Sequence, residues 1–89
     1  AYLFYNLGNL YVVRKRYADA VKQYDRAIEL NSSIAEAFFN RGLALSELGD
    51  KAGASVSLSK AGELGLYDAY SVLKQLNQSK SKAKASDSE

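Results

Sequence analysis

The sequence predicts an all-α chain of stacked antiparallel helical hairpins, and three observations predict it. Shifted against itself by 34 residues, the chain pairs Ala1 with Ala35, Phe4 with Phe38, Asn6 with Asn40 and Gly8 with Gly42. The same shift pairs Ala18 with Ala52, Ala20 with Ala54, Ala27 with Ala61, Glu29 with Glu63 and Leu30 with Leu64. That is about nine identities where chance supplies about two, the signature of a repeat architecture. Within each unit the apolar residues recur at three- and four-residue spacing, the period of one helix face. Short breaks at Arg14-Lys15-Arg16, Asn31-Ser32, Gly49-Asp50 and Gly65 cut each unit into helix-length pieces.

Each element has its own justification. The first helix is expected over 2–14, ending in the basic turn, where cations suit the negative end of the helix dipole. The second spans 17–30 and stops at Asn31-Ser32. Ser33 and Glu36 have the spacing of a capping box, which starts a third helix over 34–48 that Gly49 ends. Asp50 is the expected N-cap of a fourth helix over 51–64. Gly53 and Gly62 each weaken it by about 1 kcal/mol relative to Ala, unless close packing requires them. Gly65 suits the left-handed residue that closes a helix. Leu66, Ala69, Tyr70, Val72, Leu73 and Leu76 then place a closing helix over 66–76. From Asn77 to Glu89 the chain is polar, without apolar pattern, and is expected to be disordered; Lys80, Lys82 and Lys84 there read as solvated charges.

Small residues at Gly8, Ala20, Ala27, Gly42, Ala54 and Ala61 allow helix backbones to approach, and Phe4, Tyr11, Tyr24 and Phe38 fill the space beside them. A hairpin of this size cannot bury its own apolar face, so neighbouring hairpins must stack. Phe4, Leu7, Gly8, Tyr11, Ala20, Tyr24 and Ala27, followed by Phe38, Gly42, Leu45, Ala54, Leu58 and Ala61, resemble the tetratricopeptide repeat pattern. Ser32 and Leu66 stand where that pattern has proline, and Arg41 where it has leucine. The resemblance covers about residues 1–76. It implies a right-handed α-α superhelix with repeat one at 1–34, repeat two at 35–66 and a capping helix at 66–76. The run from Leu58 to Gly65 looks like the C-terminal end of bacterial repeat proteins, and a helix entered at once from Ala1 suggests a piece of a longer protein.

Composition excludes more than it selects. The 89 residues carry 12 Lys and Arg against 10 Asp and Glu, a net charge of +2, too little to argue for nucleic acid or a membrane surface. With no Cys and no His, thiolate and imidazole ligands and the commonest general base are missing, and no metal or cofactor is expected. No nucleophile–base pair can be drawn, so no enzyme is expected. No apolar run approaches the roughly 20 residues that span a bilayer. The compartment is left open, with the cytoplasm favoured.

The resemblance implies a function: protein–protein interaction through a concave groove lined by the first helix of each hairpin. Carried over, the groove positions are Tyr2, Tyr5, Asn9 and Val12, then Glu36, Phe39, Asn40, Leu43 and Ser46, with Tyr70, Leu73 and Lys74 from the closing helix. Spacings of three and four keep each set on one face, giving an aromatic trough suited to an extended peptide or a helix. On this reading Tyr5→Ala or Phe39→Ala abolishes binding and leaves helicity intact. Some family members grip the carboxylate tails of chaperones with lysines and two asparagines. Asn9, Asn40 and Lys74 match that clamp, but Tyr5 and Tyr70 stand where lysines belong, which removes the charge that would hold a carboxylate. Leu3, Leu10 and Val13 form a second candidate surface. Ala37 and Ala44 replace the two leucines in unit two, so the larger groups in unit one are expected to meet upstream repeats or a second copy.

Overall fold

The computed structural model describes residues 2–88, with side chains through Gln78. Five helices follow one another: α1 (Tyr2–Val13), α2 (Tyr17–Leu30), α3 (Ala35–Glu47), α4 (Lys51–Glu63) and α5 (Asp68–Ser88). There is no strand among the described residues. Contacts run between chain neighbours, α1 with α2, α2 with α3, α3 with α4 and α4 with α5, and α1 also reaches α3. This is the pattern of hairpins stacked side by side.

The turns explain the boundaries. After α1, Arg16 N–H donates to the Tyr11 carbonyl at 2.9 Å and Lys15 N–H to that of Val12 at 2.9 Å. After α3, Asp50 N–H donates to Leu45 at 2.9 Å and Gly49 N–H to Ser46 at 3.0 Å. Both pairs are the 6→1 and 5→2 bonds of a Schellman closure, which needs a left-handed residue. Gly49 supplies it at φ 86°, and Lys15, its equivalent one repeat earlier, is forced to φ 60°. Asp50 caps α4 by accepting from Gly53 N–H at 2.9 Å.

The expected capping box does not form. The residue before α3 is Ile34, whose side chain is buried and makes no cap hydrogen bond. Asn31 Oδ1 instead accepts from Ser33 N–H at 3.0 Å, folding the link as an Asx turn. Burying Ile34 in the core fixes the entry into α3, and Ser33 sits one position too early to cap it. The closing helix also differs in extent. It begins at Asp68 rather than 66, and Asn77 and Gln78 continue it beyond Leu76. No Gly or Pro interrupts that run, and its residues tolerate helix. Lys80, Lys82 and Lys84, in the expected polar tail, lie outside the residues whose side chains are described.

The core is a ladder of small residues facing large ones. Ala20, Tyr24, Ala27, Ala37, Ala44, Ala54, Leu58, Ala61 and Ala69 are buried, and Phe38, Phe39, Leu66, Val72, Leu73 and Leu76 pack around the Leu58–Ala61–Ala69 cluster. Gly8 lies so close to Tyr24 that a Cβ there would stand 2.5 Å from the ring, and a Cβ at Gly62 would collide with the Tyr70 ring. Gly62 therefore makes room for the Tyr70 ring in its observed position. Arg41, where the resemblance expects leucine, joins three helices: Nε donates to Asp25 of α2 at 2.6 Å and Nη1 to Ser57 of α4 at 2.7 Å. Ser57 is 1% exposed, so this bond satisfies a hydroxyl that would otherwise be buried alone.

Candidate functional site

Helices α1 and α3 run in the same direction. Asn9 of α1 meets Asn40 of α3, and one turn further on Val12 shares a cleft with Leu43 and Glu47. Between the two helices lies a cleft of about 490 Å³. Asn9 and Val12 of α1 form one wall, Asn40, Leu43, Ala44, Ser46 and Glu47 of α3 the other, and Tyr17 and Tyr24 of α2 complete it from behind.

A chain of hydrogen bonds fixes these side chains. Asn9 Oδ1 accepts from Tyr24 OH at 2.5 Å and from Asn40 Nδ2 at 3.0 Å. The second Asn40 N–H goes to Tyr5 OH at 3.2 Å. Tyr5 also packs its ring on Tyr24, centroids 6.0 Å apart, and Tyr2 meets Tyr5 edge-on at 6.2 Å. Complete burial pushes the Tyr24 phenol up from its ordinary value of 10.0 to about 12, and the neighbouring Tyr5 adds to the shift. The network thus joins α1, α2 and α3 through neutral groups.

The groove residues expected from the sequence divide into several places. Asn9, Val12, Asn40, Leu43 and Ser46 come together in the cleft. Tyr2 is exposed at the start of α1, and Glu36 is exposed in the first turn of α3. Phe39 and Leu73 are half-buried and pack against the Leu58 cluster, so they also hold α5 in place. Tyr70, Leu73 and Lys74 line a shallower recess on α5 with Asn77 and Gln78, separate from the first cleft. Sequence reasoning missed Tyr17, Tyr24, Ala44 and Glu47. Tyr24 and Ala44 read as packing residues, although Tyr17 and Tyr24 share a face of α2 at seven-residue spacing and Glu47 follows Leu43 by one turn. Leu3, Leu10 and Val13 stand on the outer side of α1 at 67%, 51% and 79% exposure, whereas Ala37 and Ala44 are buried.

A family model described as TPR repeat matches residues 8–49, and one described as tetratricopeptide repeat matches residues 35–64. Together they span both hairpins, from Gly8 of α1 to the end of α4. The chain belongs to the tetratricopeptide repeat family. Tetratricopeptide repeats are in general protein–protein interaction modules, typically non-enzymatic scaffolds. No curated protein matches the chain. Among the described residues, no group of three or more Asp and Glu side chains is placed to hold a metal ion, and no helix is long and apolar enough to cross a membrane.

Within that family, the carboxylate clamp has little to work with here. Both amide N–H groups of Asn40 donate inside the protein, to Asn9 and Tyr5, and Tyr5 is itself held as an acceptor. No Lys or Arg lines the cleft.

Proposed function

We propose that this tetratricopeptide repeat chain holds a segment of another protein in the cleft between α1 and α3, as one element of a larger scaffold. The observation that carries the reading is an open cleft of side-chain-accepting size with a mostly apolar lining. Leu43 is exposed at 37% beside Val12, the buried Ala44 and the ring of Tyr24. Tyr24, Asn9 and Asn40 are locked by hydrogen bonds, so the cleft is preformed, which lowers the ordering cost of binding.

Leu43→Asp is the variant of choice, because Leu43 lines the cleft and stays substantially exposed. Tyr5 and Phe39 also pack against other groups, so their truncation mixes binding with stability. Affinity capture by the native chain and by Leu43→Asp, with melting curves recorded for both, tests the reading. A partner retained by the native chain and lost by an equally stable variant supports it. Identical capture by both places binding elsewhere.

A second reading rests on α1, which carries no charged residue and exposes Leu3, Leu10 and Val13 along one face. Such a stripe suits another uncharged helical surface, either a preceding hairpin or a second copy. On the second-copy form, sedimentation shows concentration-dependent association that Leu3→Asp/Leu10→Asp abolishes. A monomer at all concentrations removes that form.

A further inference from the structure

The one charged side chain of the cleft lining is opposite in sign to the net charge of the whole chain. Glu47 is the only charged residue of the lining, and among the described residues it has no ion-pair partner. It closes α3, so its carboxylate adds to the negative end of that helix, and α1 points its own negative end the same way. The nearest run of cations, Arg14-Lys15-Arg16, lies in the turn after α1 and contributes nothing to the lining. Arg16 is held by Asp19 at 2.7 Å and over the Tyr11 ring at 5.3 Å, while Arg14 and Lys15 are exposed in the turn. Lys74 belongs to the separate recess on α5. The donors of Asn40 and Tyr24 are engaged inside the protein, and the other polar groups of the lining (the Asn9 amide and the Tyr17 and Ser46 hydroxyls) are neutral, so Glu47 supplies the charge of the lining.

Resting on the groove reading above, we infer that the occupant is a basic amphipathic segment of a partner protein: an apolar side chain seated against Val12 and Leu43, with Lys or Arg one turn away beside Glu47. The net charge of +2 would draw acidic peptides to the protein as a whole. A preference for a basic segment therefore cannot come from overall attraction and must come from the cleft.

Two synthetic peptides, acetylated and amidated at their ends, share one leucine-rich helical face and differ only in carrying Lys or Glu at the flanking positions. Fluorescence anisotropy measures both against the native chain, Glu47→Lys and Leu43→Asp at low salt. The Lys peptide is expected to bind the native chain about fivefold or more tightly than the Glu peptide, a difference of the size one or two rim charge pairs supply. Glu47→Lys, a helix-end change that suits the dipole, should reverse that order, and Leu43→Asp should weaken the Lys peptide. Equal binding of the two peptides, or an order that Glu47→Lys leaves unchanged, overturns the basic-partner inference while leaving the groove reading standing. If neither peptide binds, or Leu43→Asp binds the Lys peptide as well as the native chain, the groove reading fails and the inference with it.

Discussion

At the scale of single residues, Tyr24 joins the fold to the cleft. Its ring lies against Gly8, its hydroxyl donates to Asn9, and its face packs on Tyr5. Because burial raises its phenol to about 12, the folded state holds the proton more tightly than the unfolded chain, whose phenol ionises near 10.0. Between those values the unfolded chain binds fewer protons than the native one, so stability falls as pH rises. The contribution is complete below pH 10 and is lost through pH 12, about 3 kcal/mol in all for a shift of this size, of which about 2 kcal/mol falls between pH 10 and pH 12. Urea titrations across that window should show the native chain losing about 2 kcal/mol more than Tyr24→Phe, which retains the ring and lacks the ionisable group. Equal losses would mean that Tyr24 does not carry the alkaline sensitivity. The sequence marked Tyr24 as a core aromatic. It did not mark its part in the cleft, because a residue contributed by α2 reaches that surface only once α1 and α3 are set side by side.

At the scale of helices, the most informative position is a turn. Lys15 and Gly49 are one repeat apart and close equivalent helices with equivalent hydrogen bonds. Gly49 adopts φ 86° without a Cβ to obstruct it, whereas Lys15 holds φ 60° against the steric preference of an L-residue. Lys15→Gly should therefore stabilise the chain by about 1 kcal/mol, less the entropy that glycine adds to the unfolded state. Thermal unfolding reads this directly, and a lower melting temperature would show that the Lys15 side chain contributes contacts outweighing the strain. Helix ends with glycine or aspartate were legible in the sequence, since Gly49, Asp50 and Gly65 act locally. The start of α3 was not, because the burial of Ile34, a tertiary effect, overrode a capping pattern that local spacing favoured.

At the scale of the whole stack, Arg41 links hairpins that otherwise meet through alanines and aromatics. Its pair with Asp25 is partly solvated, with side-chain exposures of 28% and 44%, and so contributes little. Its bond to Ser57 reaches a buried hydroxyl. Arg41→Leu restores the residue type of the family pattern but leaves the Ser57 hydroxyl without this partner, and should cost about 1–2 kcal/mol. Arg41→Leu/Ser57→Ala should recover most of that loss, while Asp25→Ala alone should cost under about 1 kcal/mol. Chemical denaturation of these chains together with Ser57→Ala measures the coupling; additive losses would show that Arg41 and Ser57 act independently. From the sequence Arg41 was a departure from the pattern with no visible compensation, since Asp25 and Ser57 each lie 16 residues from it, on different helices.

The sequence by itself determined the fold class, the repeat period and the limits of α1 to α4 to within a few residues, whereas α5, expected to stop at Leu76, runs to Ser88. These follow from local periodicity, turn chemistry and self-similarity, all of which act within one unit. Three- and four-residue spacing, a property of a single helix, also set Asn9 and Val12 on one face of α1 and Asn40, Leu43 and Ser46 on one face of α3, while the shared groove came from the family resemblance. Only the tertiary structure decided which of those residues share a cleft. It also decided that Tyr17, Tyr24 and Glu47 complete that cleft, and that Tyr70, Leu73 and Lys74 belong to a separate recess. The physical reason is that a cleft is a gap between packed elements. Its lining depends on how closely Gly8, Ala37 and Ala44 let α1, α2 and α3 approach, and that distance is written in no one helix.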